Sequence, residues 1–394
     1  MGHNGTVTEE RIGTSVFDIF PTVPSRSATS TCRAPKYRSS MQPAARTDIL
    51  DVDLIAFEQG DATQRRAVVD GVARSLANGF VYTSHDISDD LLDTAYGMLE
   101  EFFTLPLEDK QRSSAPGSHG QTGYTGLLVE TAATSDAPDW KEMLNWGANV
   151  PDGHPLKRKY PHRYGDQVLP EAEVPGITAV LAEFHARTLD LQRRFLRIIA
   201  VGLGAHESFF ETMLVDGTTL TRAIRYPPMT EAPESHGTTK PHVWAGAHGD
   251  INLTTALPRA TARGLQVLMD ADPSVAPGTV DADGEPVTGH WVDAVPPEGH
   301  FIINTGIMLE RLSNGIIPVG VHQVVGDPDD PGERYSVVQF SHPTPWTVLS
   351  PMASCITEQN PQRYAGIESG DLLDQVIYEI NLVEDGRRVD DPTD

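Results

Sequence analysis

The sequence predicts an α+β chain in which helices come first, mostly before residue 205, and an antiparallel sheet folded into a sandwich or barrel follows. Two observations carry that prediction. Between residues 62 and 203 apolar residues recur at spacings of three and four, the period of helices with one buried face. Beyond residue 220 they fall in short runs punctuated by Gly, Pro and Asp, among them 253–257, 265–269, 301–304 and 335–340, the texture of strands and turns.

Taken in order, residues 1–48 are rich in Ser, Thr and Pro around one apolar patch (Val16, Phe17, Ile19, Phe20) and read as a flexible or surface-draped extension. Ile49 to Phe57 reads as a strand. A helix is expected over 62–77, with Val68, Val69, Val72 and Leu76 on one face, then a strand over Gly79-Phe80-Val81-Tyr82. Ser88 can cap a helix carrying Leu91, Leu92, Ala95, Met98, Leu99 and Phe102. A longer helix spans 176–203, its stripe formed by Leu181, Phe184, Leu191, Phe195, Ile198 and Ile199. The Gly/Pro/Asp-rich stretch 270–290 reads as an inserted surface loop, and 384–394 as a frayed charged tail. The organisation expected is an extension (1–48), a helical region packing on the barrel (49–205), a barrel core (206–383) and the tail.

A balance of 30 Lys+Arg against 55 Asp+Glu gives a net charge of -25, which repels phosphate backbones and anionic lipid surfaces. Nucleic acid and membranes are therefore not expected as partners, whereas a small molecule is, because a buried pocket can hold local arginines inside an acidic shell. The two cysteines, Cys32 and Cys355, suggest neither a zinc knuckle nor a disulfide framework. With no 18-residue apolar run and no basic-then-apolar start, a cytoplasmic protein is expected. Oligomeric state leaves no trace in the sequence.

His248-Gly249-Asp250 places an imidazole and a carboxylate two residues apart, so on an extended strand both leave the same face and can chelate one metal. Gly320-Val321-His322-Gln323-Val324 offers a third ligand in another strand-like run. Two histidines and one carboxylate leave open positions on one side of a metal, the arrangement suited to iron(II) and dioxygen. The triplet alone is a weak signal in a chain of 14 histidines, where His206, His236, His242, His290 and His300 compete.

The surroundings supply context. Arg222-Ala223-Ile224-Arg225-Tyr226-Pro227-Pro228, His248-Gly249-Asp250, Gly264-Leu265-Gln266-Val267, Asn304-Thr305-Gly306, Leu312-Ser313-Asn314-Gly315, His322 and Arg334-Tyr335-Ser336 follow in one order. In that order they resemble the isopenicillin N synthase-like family of Fe(II)/2-oxoglutarate-dependent oxygenases. Asn78-Gly79-Phe80, His85, 102–106, Gly123-Tyr124, Asp139-Trp140-Lys141-Glu142, Tyr364 and 379–382 extend the likeness over roughly residues 49–382.

The resemblance implies a double-stranded β-helix, the jelly-roll or cupin-like barrel, with flanking helices that are mostly N-terminal. It implies iron(II) at His248, Asp250 and His322, and 2-oxoglutarate held at its distal carboxylate by Arg334 and Ser336 with Tyr226 alongside. A guanidinium pairs well with a carboxylate, and alternate strand positions share a face. Dioxygen, succinate and carbon dioxide complete the implied chemistry, with hydroxylation, desaturation or oxidative cyclisation of a small molecule as outcomes. Ile224 and Arg225 depart from many plant members and sit closer to an antibiotic-forming branch. Arg225, Trp146, Trp244, His242 and Phe340 are candidate substrate contacts. Two alternatives remain open at this point: an isopenicillin N synthase-like oxidase that needs no 2-oxoglutarate, and a non-catalytic binding relative.

Overall fold

The computed structural model describes residues 48–379 apart from 119, 132–136, 235–241, 273–274, 276–278, 280–285 and 327–331. The N-terminal extension, save residue 48, the charged tail and much of the 270–290 stretch therefore lie outside the described residues. Among the described residues there are twelve strands: β1 (Asp51–Val52), β2 (Phe80–Ser84), β3 (Gly123–Thr125), β4 (Glu142–Gly147), β5 (Leu220–Tyr226), β6 (Ala245–Gly249), β7 (Thr254–Leu257), β8 (Leu265–Met269), β9 (His290–Asp293), β10 (His300–Thr305), β11 (Val321–Val324) and β12 (Arg334–Phe340).

They form an eight-stranded sheet in the order β1-β2-β10-β7-β12-β5-β4-β3 and a four-stranded sheet in the order β6-β11-β8-β9. Strands from both sides of residue 205 thus share one sheet: β4 pairs with β5 along its whole length, and β2 with β10. The architecture is the double-stranded β-helix, with helices on one face of the larger sheet.

Side-chain alternation assigns the two faces. Met143, Ile224, Tyr226, Leu257, Ile302 and Val338 of the large sheet pack with Ala245, Leu265, Val267, Met269 and Val324 of the small one, which makes the barrel interior. Their neighbours Leu144, Trp146, Ala223, Ala256, Ile303 and Val337 point the other way, into a core shared with Leu181, Phe184, Leu191 and Phe195 of the helix Ile177–Gly202. Polar groups also tie that helix to the sheet. Gln192 donates to the Gln339 carbonyl at 3.0 Å, and Gln339 Nε2 donates to the His185 carbonyl and Thr221 Oγ1, each at 2.9 Å.

The helix capped by Ser88 runs Asp89–Thr104, as its period predicts. The expected strand over 49–57 is only β1; from Leu54 to Gln59 the chain is helical. The cause is local: Asp53 Oδ1 accepts from the Ile55 and Ala56 amides at 2.9 and 3.2 Å, a side-chain cap that stabilises a first helical turn.

Candidate active site

The small sheet assembles the three metal-ligand candidates. β6 and β11 are paired so that His248 stands directly opposite His322, with ring centroids 4.4 Å apart, and Asp250 follows the end of β6. One ligand atom each from His248, Asp250 and His322 lie within 4.8 Å of one another, and among the described residues no other group of His, Cys, Asp or Glu does so. Glycine between the first two is dictated by space: a Cβ at Gly249 would come 2.6 Å from Val319 Cγ2.

Each ligand candidate is oriented by a second contact. His248 Nδ1 donates to the Gly246 carbonyl at 2.7 Å and His322 Nδ1 to the Gly320 carbonyl at 3.1 Å, which leaves both Nε2 atoms as lone-pair donors. Asp250 Oδ2 accepts from Thr255 Oγ1 at 2.5 Å and Asn304 Nδ2 at 2.8 Å. Its other oxygen lies 3.9 Å from His248 Nε2. Burial, with His248 beside it, holds the His322 imidazole down at about 4. Burial would raise Asp250, but the two histidines and the Asn304 and Thr255 hydrogen bonds keep it below the ordinary carboxylate value. A neutral imidazole and an ionised carboxylate are the states a divalent cation requires, and two nitrogens with one oxygen suit iron(II).

A second polar station stands on the inner face of the large sheet. Arg334 pairs in register with Tyr226, and Ser336 with Ile224. The Arg334 guanidinium sits 5.0 Å above the Tyr226 ring centroid and is 2% exposed. Its Nε donates to the Ala262 carbonyl at 3.2 Å, whereas the buried Nη1 has no hydrogen-bond partner. Burial lowers the Arg334 pKa, and burial raises that of Tyr226. A buried guanidinium with an unsatisfied N–H suits an anion, and an elongated dicarboxylate such as 2-oxoglutarate is compatible with the residues present.

A third group is charged throughout. Lys141 Nζ lies 3.0 Å from Glu130 Oε2 and 2.8 Å from Asp139 Oδ2. Arg222 Nε donates to Asn145 Oδ1 at 2.7 Å, and Nη1 to Glu130 Oε2 at 3.3 Å. Burial would raise Glu130, but Arg222 and Lys141 hold it down at about 2, with His248 contributing. Arg222, Lys141 and Asn304 lie inside recognisable sequence motifs that assign them no role, and Glu130 and Thr255 lie outside those motifs. For Arg222 the signal was available, since it lies four residues before Tyr226 and so shares its strand face.

The five candidate substrate contacts divide. Phe340 lies on the inner face, under the Arg222 guanidinium (5.5 Å) and beside His342 (6.5 Å). Trp244 packs against Tyr226 and donates to the Pro227 carbonyl at 2.7 Å. His242 Nδ1 meets the Pro138 carbonyl at 2.8 Å. The structure places the other two away from the site, because both have outward strand parity. Arg225 pairs with Glu142 and Glu333, each at 2.7 Å, and Trp146 lies in the helix-side core, donating to the Leu181 carbonyl at 3.0 Å.

Known proteins resemble this chain in sequence and fold. A family model described as non-haem dioxygenase in morphine synthesis N-terminal matches residues 52–172, and one described as 2OG-Fe(II) oxygenase superfamily matches 218–343. Among relatives, kihadalactone A synthase LFS of Citrus sinensis is 27% identical, the match covering 82% of this chain and 91% of that protein. Homoarginine-6-hydroxylase of Oryza sativa subsp. japonica is 29% identical over 78% of this chain and 84% of its own. A solved 2OG-Fe(II) oxygenase family protein from Caulobacter crescentus superposes with a TM-score of 0.69 at 30% identity, covering 85% of this chain and 100% of that one. A full-length Neurospora crassa protein solved in complex with alpha-KG gives 0.68 at 25% identity, covering 86% and 100%. The chain belongs to the 2OG-Fe(II) oxygenase superfamily and is a non-haem dioxygenase that needs iron(II), 2-oxoglutarate and dioxygen.

Proposed function

We propose that His248, Asp250 and His322 hold the iron and that Arg334, Ser336 and Tyr226 hold 2-oxoglutarate, for oxidation of a C–H bond in a small molecule of specialised metabolism. The observation that carries the cosubstrate half is Arg334, buried and opposite Tyr226 with an N–H that no protein group satisfies. The Neurospora crassa relative solved with alpha-KG favours this reading over an oxidase that needs no 2-oxoglutarate. The iron supplies the redox chemistry that couples oxidative decarboxylation of 2-oxoglutarate to C–H oxidation, with succinate and carbon dioxide as coproducts. The chain's own part is positional. Backbone carbonyls fix the two imidazoles, and Thr255 and Asn304 fix the carboxylate.

Relatives named kihadalactone A synthase and azadirone synthase support a natural-product substrate, an antibiotic-type product among the outcomes. The Neurospora crassa protein, solved also with 5-formyluracil, supports a small one. No helix among the described residues is long and apolar enough to cross a membrane. A cytoplasmic site of action fits the acidic composition and the supply of 2-oxoglutarate. Anaerobic addition of iron(II) and 2-oxoglutarate should give a weak visible charge-transfer band. His248→Ala or Asp250→Ala should abolish the band and turnover with circular dichroism unchanged. Full activity in either variant sinks the metal assignment.

A further inference from the structure

Beyond the metal and cosubstrate stations, the barrel interior carries polar atoms that the reaction leaves unused. Arg222 has five N–H donors, of which two are committed, to Asn145 and Glu130. Glu130 is 7% exposed, and its Oε1 makes no hydrogen bond, Arg222 Nη1 approaching to 3.2 Å without the required alignment. His342 is 5% exposed, and neither of its ring nitrogens has a partner. Glu130 and His342 both neighbour Arg222. Arg222 shares the strand face of Ile224 and Tyr226, and its guanidinium covers Phe340, whose ring neighbours His342. Glu130 lies within Coulomb range of His248, and His342 within range of Asp250 and Arg222.

Leaving a buried acceptor such as Glu130 Oε1 without a hydrogen bond is costly in a low-dielectric interior, and Arg222 stands beside it. The uncommitted N–H groups of Arg222 and Glu130 Oε1, which is ion-paired at 3.2 Å but not hydrogen-bonded, form a donor–acceptor edge. The charges behind it cancel: Lys141 and Arg222 stand against Glu130 and Asp139. An incoming ion would find no counter-charge, and a buried unpaired ion is strongly disfavoured. Phe340, Val338, Ile224 and Met143 supply apolar surface around the edge.

We infer that Arg222 and Glu130, with Phe340 and His342 beside them, are the specificity-determining residues, and that they select an uncharged substrate whose polar end offers an acceptor next to a donor, as in a carboxamide or lactam. This rests on the cosubstrate and metal assignment above and adds the class of molecule bound next to it.

The test uses three probes of one shape and three charges: benzamide, benzoate and benzylamine. Each is titrated calorimetrically into the full chain loaded anaerobically with iron(II) and 2-oxoglutarate, after the visible band has been recorded. Benzamide should bind at least about tenfold more tightly than either ion, since a site built around hydrogen bonds penalises analogues that leave them unmade. Glu130→Gln leaves one positive charge in excess, so the benzoate-to-benzamide affinity ratio should rise at least about tenfold. Arg222→Met should shift preference toward benzylamine by a similar factor. A purely structural role would weaken all three probes together. No benzamide binding at millimolar concentration, or tighter binding of an ion by the unaltered protein, overturns the inference even if neither variant folds. Such a result in a sample that shows the band leaves the metal and cosubstrate assignment standing; absence of the band refutes that assignment instead.

Discussion

Thr255→Val isolates what one hydroxyl contributes to the metal site. Thr255 Oγ1 is 2.5 Å from Asp250 Oδ2 and Asn304 Nδ2 is 2.8 Å from the same oxygen, so the variant halves the hydrogen bonds that fix this carboxylate. Valine matches threonine in shape, and the site is 1% exposed, so no cavity opens. A hydrogen bond to a charged group contributes roughly 1.5–3 kcal/mol, and loss of a group orienting a ligand typically lowers metal affinity about 10- to 100-fold. Both ranges centre on about 2 kcal/mol, hence a loss of about thirtyfold in iron(II) affinity, measured anaerobically against a competing chelator. Thr254→Val is the matched control. On the opposite face of the same strand, Thr254 Oγ1 bonds Gln192 Oε1 at 2.8 Å and Ser341 Oγ at 2.9 Å, so its loss should lower thermal stability and spare the metal. Affinity within twofold of the parent in Thr255→Val, or an equal loss in Thr254→Val, would refute the reasoning.

Arg334→Met removes the buried cation proposed to pair with the cosubstrate; truncating one partner of such a pair costs about 2–5 kcal/mol, so the 2-oxoglutarate requirement should rise at least about thirtyfold while iron affinity holds. Unchanged cosubstrate affinity counts against the role. Trp146→Ala should lower stability by about 3–5 kcal/mol in urea unfolding without changing substrate preference, since the indole sits in the helix-side core; a changed preference at full stability would return it to the pocket. Acid should weaken the fold in a defined window. Burial holds His185 at about 4 and His342 at about 3, below the ordinary value of 6.5. The unfolded chain then binds more protons between pH 6.5 and 4, so stability is full above 6.5 and falls as pH drops, by on the order of 3 kcal/mol per histidine at pH 4. Urea midpoints measured across that interval check it, and a flat profile contradicts it.

Much of the site was legible because its signals are local. His248 and Asp250 share a strand face by parity, Arg334 and Ser336 do so again, and the helix Ile177–Gly202 announces itself by its apolar stripe. What spacing cannot supply is pairing between distant strands. That His322 lands opposite His248, or Arg334 opposite Tyr226, is a register fact set by cooperative packing of whole sheets. Proximity in sequence also misled where parity should have decided. Arg225 adjoins Tyr226, and for that reason its side chain leaves the other face of the strand. Over 49–57 a single capping aspartate outweighed the strand-like composition.

The large sheet therefore divides labour by parity. Its outward row carries the apolar Leu144, Trp146, Ala223 and Val337, which join the helices in the larger core, together with polar groups paired among themselves such as Arg225 with Glu142. Its inward row holds Arg334, Arg222 and, just before β4, Lys141, charges whose burial opposes folding unless each is paired. Lys141 is paired twice, whereas Arg334 Nη1 and Glu130 Oε1 are left without a hydrogen bond. The incomplete members are the ones a bound anion or a polar substrate would satisfy. Ligands should then stabilise this fold through its inward row alone, and substitutions on the outward row should alter how stable the protein is without altering what it binds.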